Sequence, residues 1–314
     1  MKKKIFSILF LGAGKRVSLL KSFIKAGKSL NLDLKIFSYE IDSLQPINGI
    51  AKVIVGEKWT SSKINQSINK VIKENQIDLL ISNTDPATLC HSSLKNFSKA
   101  ANYISPFETV KNCLHKDLFQ KFCESKSLPI IPKANNAEYP CFAKPCIGSA
   151  SKGVRLILTK DEKLAFLKNK SEKFLFQKYI KGNEYTVDAF ISKSRKECMI
   201  SPRIRLATSG GESVVSKTIN HSQIERISKK VVEVFGLIGP VTIQFIEDAE
   251  TKQIFLMEVN PRLGGGVLAS IKAGYNIPKF ILQDSLGLKI DLNIKKREFL
   301  MKRYFMEKYY EINN

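Results

Sequence analysis

An α/β fold is predicted from the sequence: a parallel sheet covered on both faces by helices over about the first 105 residues, then a two-lobed α+β region. Three observations predict it. Apolar runs alternate with helical periodicity through the N-terminal third. Near residue 109 the pattern changes to an amphipathic helix followed by short strands around a glycine-rich loop. From residue 183 onward, apolar-polar alternation of the antiparallel kind dominates.

Taken in order, residues 5–14 (IFSILFLGAG) read as a buried strand running into a glycine turn, and SLLKSFIKAGKSL as a helix. LKIFSYEID and AKVIVG are strands, INQSINKVIKEN is a helix, and IDLLISNTD is a strand. The ends near Asp42 and Asp85 line a crevice where a ligand can sit. Gly12 and Gly14 lack the third glycine of a dinucleotide fingerprint, so a tight strand-to-helix turn is the better reading. TVKNCLHKDLFQKFCESKSLP is predicted as one amphipathic helix stopped by Pro129. YPCFAKP and GVRLILT flank the glycine loop, and DEKLAFLKN and FLFQKYIKG complete the smaller lobe. EYTVDAFIS, ECMISPRIRLA, VTIQFIED and QIFLMEVN are strands, with the helix QIERISKKVVEVFG between them. The charged tail after residue 290 is expected to be helical.

Composition narrows the function. A chain of 314 residues, 43% hydrophobic, buries a large core, and no apolar run is long enough to span a bilayer. The start MKKKIFSILFLGAG resembles a signal peptide only superficially: its apolar run is short and lacks a small-residue cleavage site. The six cysteines show no CxxC pair or metal-ligand spacing, so reduced thiols and a cytoplasmic location are expected. The net charge of +22 is carried mostly by lysine, since only nine of the 51 basic residues are arginine. It is spread along the chain, which favours general attraction to anions over a dedicated nucleic-acid surface.

Three stretches carry chemistry. In CFAKPCIGSASKGV, Gly148, Ser149, Ser151 and Gly153 offer backbone and hydroxyl donors to phosphate oxygens behind Lys144, but a hairpin tip accounts for this segment alone equally well. In QIFLMEVNPRLGGG, Glu258 and Asn260 stand two apart on a strand and so face the same way, with Arg262 beyond and Gln244 on a neighbouring strand. A carboxylate, an amide and a guanidinium together suit Mg²⁺ and a phosphoryl group. In FLFQKYIKGNEYTVDAF, the backbone and apolar groups around Lys178 and Ile180 suit a flat base, and Glu184 a ribose hydroxyl. A strand-turn-strand corner fits that stretch as well.

With HKDLFQKF, SPRIRLATSGGES and IQF, these motifs stand in the order found in the ATP-grasp superfamily. The chain resembles its carbamoyl-phosphate-synthase-like carboxylate–amine ligases over nearly its whole length. The resemblance implies a Rossmann-like (pre-ATP-grasp) domain over residues 1–108, an ATP-grasp small lobe over 109–182 and a large lobe over 183–314. It implies ATP and Mg²⁺, or Mn²⁺ in its place, as cofactors. Lys116 and Lys144 would then neutralise phosphates under a 148–153 loop, and Gln177 would stand near the base where many relatives carry an acid. Gln244, Glu258 and Asn260 would hold the metal–phosphate assembly, Arg262 the transferred phosphoryl group, and Arg203 and Arg205 the acceptor or acyl phosphate.

The expected reaction joins a small-molecule carboxylate to an amine, or to a thiol, through an acyl phosphate, with release of ADP and phosphate. Relatives are often homodimers. A carbamoyl-phosphate-synthase subunit is the nearest alternative, although the chain has one ATP-grasp unit and no glutaminase segment. A basic nucleic-acid-binding protein is the alternative outside catalysis.

Overall fold

Three sheets organise the chain in the computed structural model, which describes residues 3–94, 100–135, 137–148, 152–168, 170–292 and 294–311. The first sheet comprises β1 (Lys4–Leu11), β2 (Leu32–Glu40), β3 (Lys52–Val55), β4 (Leu79–Ser82) and β5 (Ala101–Asn102). All are parallel, in the order β3-β2-β1-β4-β5. Helices α1 (Val17–Ser29), α2 (Ile64–Glu74) and α3 (Asp85–Ser93) connect them. Every second residue of β1 faces the same way, and from Ile8 to Leu11 both sets are apolar and buried, as a strand covered on both faces requires. Phe6, Ile8 and Phe10 pack with Leu19, Leu20 and Phe23 of α1, whereas Leu9 and Leu11 pack with Ile64, Ile68 and Ile72 of α2. The strand order reverses at β1, so the ends of β1 and β4 lie at a topological switch point.

Next come α4 (Phe107–Leu114), α5 (Lys116–Ser125), β6 (Cys141–Pro145), β7 (Arg155–Ile157), α6 (Lys160–Leu167) and β8 (Phe174–Lys178). The three strands form a small antiparallel sheet, β7-β6-β8. The single helix expected over 109–129 is instead two helices broken at His115, which is extended at φ −104°, ψ 109°. Tertiary contact decides this: the Lys116 amide donates to the Cys146 carbonyl at 2.9 Å rather than continuing the helix. The second helix ends four residues before Pro129.

The remaining chain forms β9 (Gly182–Ile191), β10 (Cys198–Ser209), β11 (Glu212–Thr218), α7 (Ser222–Phe235), β12 (Gly239–Asp248), β13 (Ile254–Asn260), α8 (Val267–Lys272), α9 (Ile277–Ser285) and β14 (Leu300–Lys302). Its six strands run in the order β13-β12-β9-β10-β11-β14, every neighbouring pair antiparallel. The tail expected to be helical is not: β14 pairs with the edge of β11, and the Phe299 amide and Thr218 hydroxyl bond across the same seam at 2.8 Å. An open sheet edge offers unpaired backbone groups that a solvated helix would leave unmet. One face of this sheet packs Val187, Ala189, Val241, Ile243, Leu256 and Val259 against α5 and α7. The other face is polar along its middle and holds the candidate site. The core under β1 and α1 is shared with Phe190, Val267 and α9, so the first sheet and the large antiparallel sheet pack as one body there.

Candidate functional site

The site begins with a register slip. On β13 the inward apolar positions run Ile254, Leu256, Val259, one residue out of alternation. Gln244 pairs with Glu258 but Phe245 pairs with Leu256, which leaves Met257 as the extra residue of a β-bulge. A bulge re-aims the side chains beyond it. Here it carries Glu258 and Asn260 to the face opposite Leu256 and Val259. That is the face shown by Gln244 and Ile246 on β12, by Glu184, Thr186 and Asp188 on β9, and by Arg203 and Arg205 on β10.

Those side chains form one network. Glu258 Oε1 accepts from Gln244 Nε2 at 2.5 Å and from Asn260 Nδ2 at 2.7 Å. Arg205 Nη1 donates to Gln244 Oε1 at 2.8 Å and meets Glu184 at 3.0 Å, while Nη2 donates to the Gly211 carbonyl. The Arg205 Nε is buried without a partner. From β6, Lys144 faces this cluster. Burial holds its ammonium below the ordinary lysine value, with Glu258 pulling the other way, Lys116 adding to the depression and Glu184 countering it. Lys116 Nζ donates to the Gly148 carbonyl at 2.8 Å. The site thus brings Lys116, Lys144, Glu184, Arg205, Gln244, Glu258 and Asn260 together from five strands and a helix end.

A second region lies where the two antiparallel sheets meet. Residues 129–134 bridge them: Ile130 pairs with Leu256, and Lys133 with Gln177. Ile131, Ile246 and Phe255 are buried with Ile180 and Met257 packed against them, an apolar cluster next to the polar site. Gln177 sits at its edge, donating to Gln120 at 2.8 Å, and its own Oε1 is buried without a partner. Ile131, Ile246, Phe255 and Met257 were not singled out from the sequence; Phe255 and Met257 were within sight, in the same FLMEVN run as Glu258. Lys178 turns outward to Glu138 at 2.7 Å and its backbone amide donates to the Pro132 carbonyl, so neither group faces the expected base as a free donor.

The outer arginines are engaged differently. Arg203 is buried against Asp188 at 2.9 Å and Ser213 at 3.0 Å, with Ser270 donating to the same Asp188 oxygen. Arg262 Nε meets Asp85 at the head of α3 at 2.5 Å, tying the end of β13 to the first sheet. Gly264, Gly265 and Gly266 cover these charges closely. A Cβ on Gly264 would meet Thr242, on Gly265 Glu212, and on Gly266 the Arg203 guanidinium, at 2.7, 3.0 and 2.6 Å. Of the glycine-loop residues, Gly153 takes φ +73° against Pro145 and Gly148 is in open space, while Ser149 and Ser151 lie outside the described residues.

The donor set can be tested for Mg²⁺. Among the described residues no cluster of three or more His, Cys, Asp or Glu side chains exists. One carboxylate with two amides and two nearby cations fits Mg²⁺ that takes its remaining oxygens from bound phosphates, and not a cage made by protein alone. As placed, Gln244 and Asn260 turn their nitrogens to Glu258 and fix it; ligation through their oxygens needs an amide half-turn.

The chain is similar to several known proteins. The family described as ATP-grasp in the biosynthetic pathway with Ter operon matches residues 170–304. The arginine-specific carbamoyl phosphate synthase large chain of Halalkalibacterium halodurans is 23% identical over 211 residues, covering 58% of this chain and 20% of its own length. The carbamoyl phosphate synthase large chain of Methanobrevibacter smithii is 26% identical over 219 residues, 60% of this chain and 20% of its own. Among solved structures, N5-carboxyaminoimidazole synthetase from Staphylococcus aureus with ADP superposes with a TM-score of 0.74 at 14% identity, covering 94% of this chain and 81% of that one. The biotin carboxylase domain of Hydrogenobacter thermophilus 2-oxoglutarate carboxylase, with MgADP and bicarbonate, gives 0.74 at 14% identity, covering 90% and 70%.

Residues 170–304 thus match an ATP-grasp family, and the solved neighbours share the fold of nearly the whole chain. In sequence the chain is similar to carbamoyl phosphate synthase large chains, and it spans about a fifth of the length of the two curated relatives described here. Among the described residues no helix is long and apolar enough to cross a membrane.

Proposed function

We propose that the protein is an ATP-dependent ligase that activates a small-molecule carboxylate as an acyl phosphate and transfers the acyl group to an amine, or to a thiol, releasing ADP and phosphate. The observation that carries this reading is the convergence of Lys144, Arg205 and Glu258 on one polar face, with an unpartnered Arg205 Nε at its centre. Buried donors of this kind match oxygens on a transferring phosphoryl group.

In this reading the adenine packs against the apolar cluster of Ile131, Ile180, Ile246, Phe255 and Met257, and the unpartnered Gln177 Oε1 accepts from its amino group. Glu184 meets the ribose, and Lys116 and Lys144 neutralise the phosphates beside Gly148 and Gly153. Glu258 and Asn260, with Gln244 bracing them, would hold Mg²⁺, which supplies charge neutralisation when bound. The substrate carboxylate oxygen attacks the γ-phosphorus, the bond to the β-γ bridging oxygen breaks, and ADP leaves. The amine then attacks the acyl carbon and phosphate departs. Arg262 and Arg205 steady the phosphoryl oxygens; Arg203, neutralised by Asp188, shapes the floor beneath the acceptor. No residue forms a covalent bond, so catalysis rests on positioning and charge.

The domain division follows: residues 1–108 as a Rossmann-like domain supplying the acceptor crevice, 109–182 as the small lobe and 183–314 as the large lobe. A homodimer acting on small molecules in the cytoplasm is the corresponding assembly. Hydroxylamine intercepts an acyl phosphate, so a panel of carboxylic acids with ATP and Mg²⁺ should yield a hydroxamate with the right acid even when no amine is present. Glu258→Gln should cut its formation at least about hundredfold while leaving the melting temperature nearly unchanged. ADP release dependent on a carboxylate but never giving hydroxamate, or full activity in Glu258→Gln, would sink the reading.

A further inference from the structure

Where the first sheet meets the large antiparallel sheet lies a charge that the reaction above leaves unused. Arg16 follows the Gly12–Gly14 turn, and its Nη2 donates to the Gly264 carbonyl at 2.6 Å, across 248 residues of chain. It therefore lies against the loop that follows Asn260 and Arg262. Among the described residues no carboxylate lies within ion-pair distance of it. Its neighbours are engaged: Arg262 with Asp85, and Arg303, from the strand-paired tail, with Glu212. Asp188, which also acts on Arg16, is neutralised by Arg203.

Of the charges around Arg16, Arg262 is paired with Asp85, Arg303 with Glu212 and Arg203 with Asp188, which leaves Arg16 without a carboxylate of its own. Burial presses the Arg16 pKa down to about 10; Glu212 works against this, and the like charges of Arg262 and Arg303 deepen it. A guanidinium held so has a standing deficit of one negative charge. Close by, at the end of β4, Asn83 is 5% exposed with both its amide oxygen and its amide nitrogen unpartnered. Its backbone bonds to Leu11, and its neighbour Thr84 fills the space beside Gly12. A cation short of a counter-charge and an amide short of partners thus stand on the two adjoining strand ends, after β1 and after β4.

We infer that Arg16 is a specificity-determining residue that binds a second anionic group on the acid substrate, so that the enzyme takes acids bearing two anionic groups. This rests on the ligase reading above. One carboxylate faces Arg262 and Arg205 and reacts; the other group pairs with the Arg16 fork, with Asn83 as the polar lining beside it. Glu212 sets the strength of the subsite, because its negative charge lowers the potential at Arg16.

The test is equilibrium binding to the full chain with a non-hydrolysable ATP analogue and Mg²⁺ present. The probes are succinate, glutarate, aspartate and glutamate, each compared with the monoamide that lacks its second carboxylate. At least one dianion should bind the wild type, its monoamide about ten- to a hundredfold more weakly. Arg16→Gln, which keeps a donor for Gly264, should abolish that preference while binding the ATP analogue as the wild type does. Glu212→Gln should tighten dianion binding, an effect that a merely structural Arg16 does not predict. The inference is overturned if dianion and monoamide bind alike, if no dianion binds, or if Arg16→Gln keeps the preference. Should Arg16→Gln not fold, Glu212→Gln decides alone, and unchanged or weaker dianion binding overturns the inference. ATP-analogue binding and hydroxamate formation without dianion preference would leave the ligase reading standing; loss of analogue binding in the wild type would remove both.

Discussion

Lys144 illustrates how a site residue is held at a cost. Desolvation lowers its pKa, and Lys116 adds to that, more than Glu258 and Glu184 restore. Because the folded pKa lies below the unfolded one, the unfolded chain binds more protons in the alkaline window between them. Stability therefore rises with pH through that window, as the folded state sheds a proton it holds poorly. Lys144→Met, similar in length and uncharged, should melt no lower than the wild type at neutral pH and should lose this alkaline rise. Its affinity for an ATP analogue should fall about ten- to a hundredfold, because a phosphate then meets no counter-charge. Calorimetry across pH and titration with the analogue would check both. A variant that melts much lower yet binds the analogue normally would show Lys144 to be structural.

Among the elements, the turn from β13 into α8 carries the sharpest constraint. Gly264, Gly265 and Gly266 are small because Thr242, Glu212 and Arg203 lie directly beneath them. Gly266 has φ −91°, which alanine accepts, so the penalty for a methyl group there is steric alone. It would meet a guanidinium fixed by Asp188 and Ser213. Gly266→Ala should cost about 1–3 kcal/mol of stability, read by urea unfolding; no loss would mean that the Arg203 pair yields freely. The bulge at Met257 works at the same scale. The slip from Leu256 to Val259 was open to inspection in the sequence, but its consequence, a common face for Phe255, Glu258 and Asn260, depends on pairing with β12. The helix break at His115 was not open to inspection, because TVKNCLHKDLFQKF keeps helical spacing throughout and only the Cys146 carbonyl diverts the chain.

For the molecule as a whole, the charge of +22 and the buried site make separable claims. Diffuse lysine charge attracts polyanions through counterion release and is screened by salt, whereas a nucleotide held by buried donors is screened far less. RNA binding seen at low salt should vanish by about 0.2 M salt, with ATP-analogue affinity largely kept. Filter binding and titration at the two salt concentrations would decide it, and RNA affinity that survived while analogue binding did not would favour the nucleic-acid alternative.

The sequence by itself determined the alternation that yields the parallel sheet, the strands β9, β10, β12 and β13, and the residue types that surround Glu258. These follow from periodicities of two and 3.6 residues, which are local properties of the backbone. Only the tertiary structure decided which charges neutralise one another. Arg262 finds Asp85 across 177 residues and Arg16 finds Gly264 across 248, and no local spacing encodes either meeting. The same holds for the tail, whose composition suits a helix but whose backbone groups are claimed by the open edge of β11. A side chain's identity is written in the sequence, but its partner is chosen by how distant elements pack, because burial makes each unpaired charge expensive wherever the chain brings it.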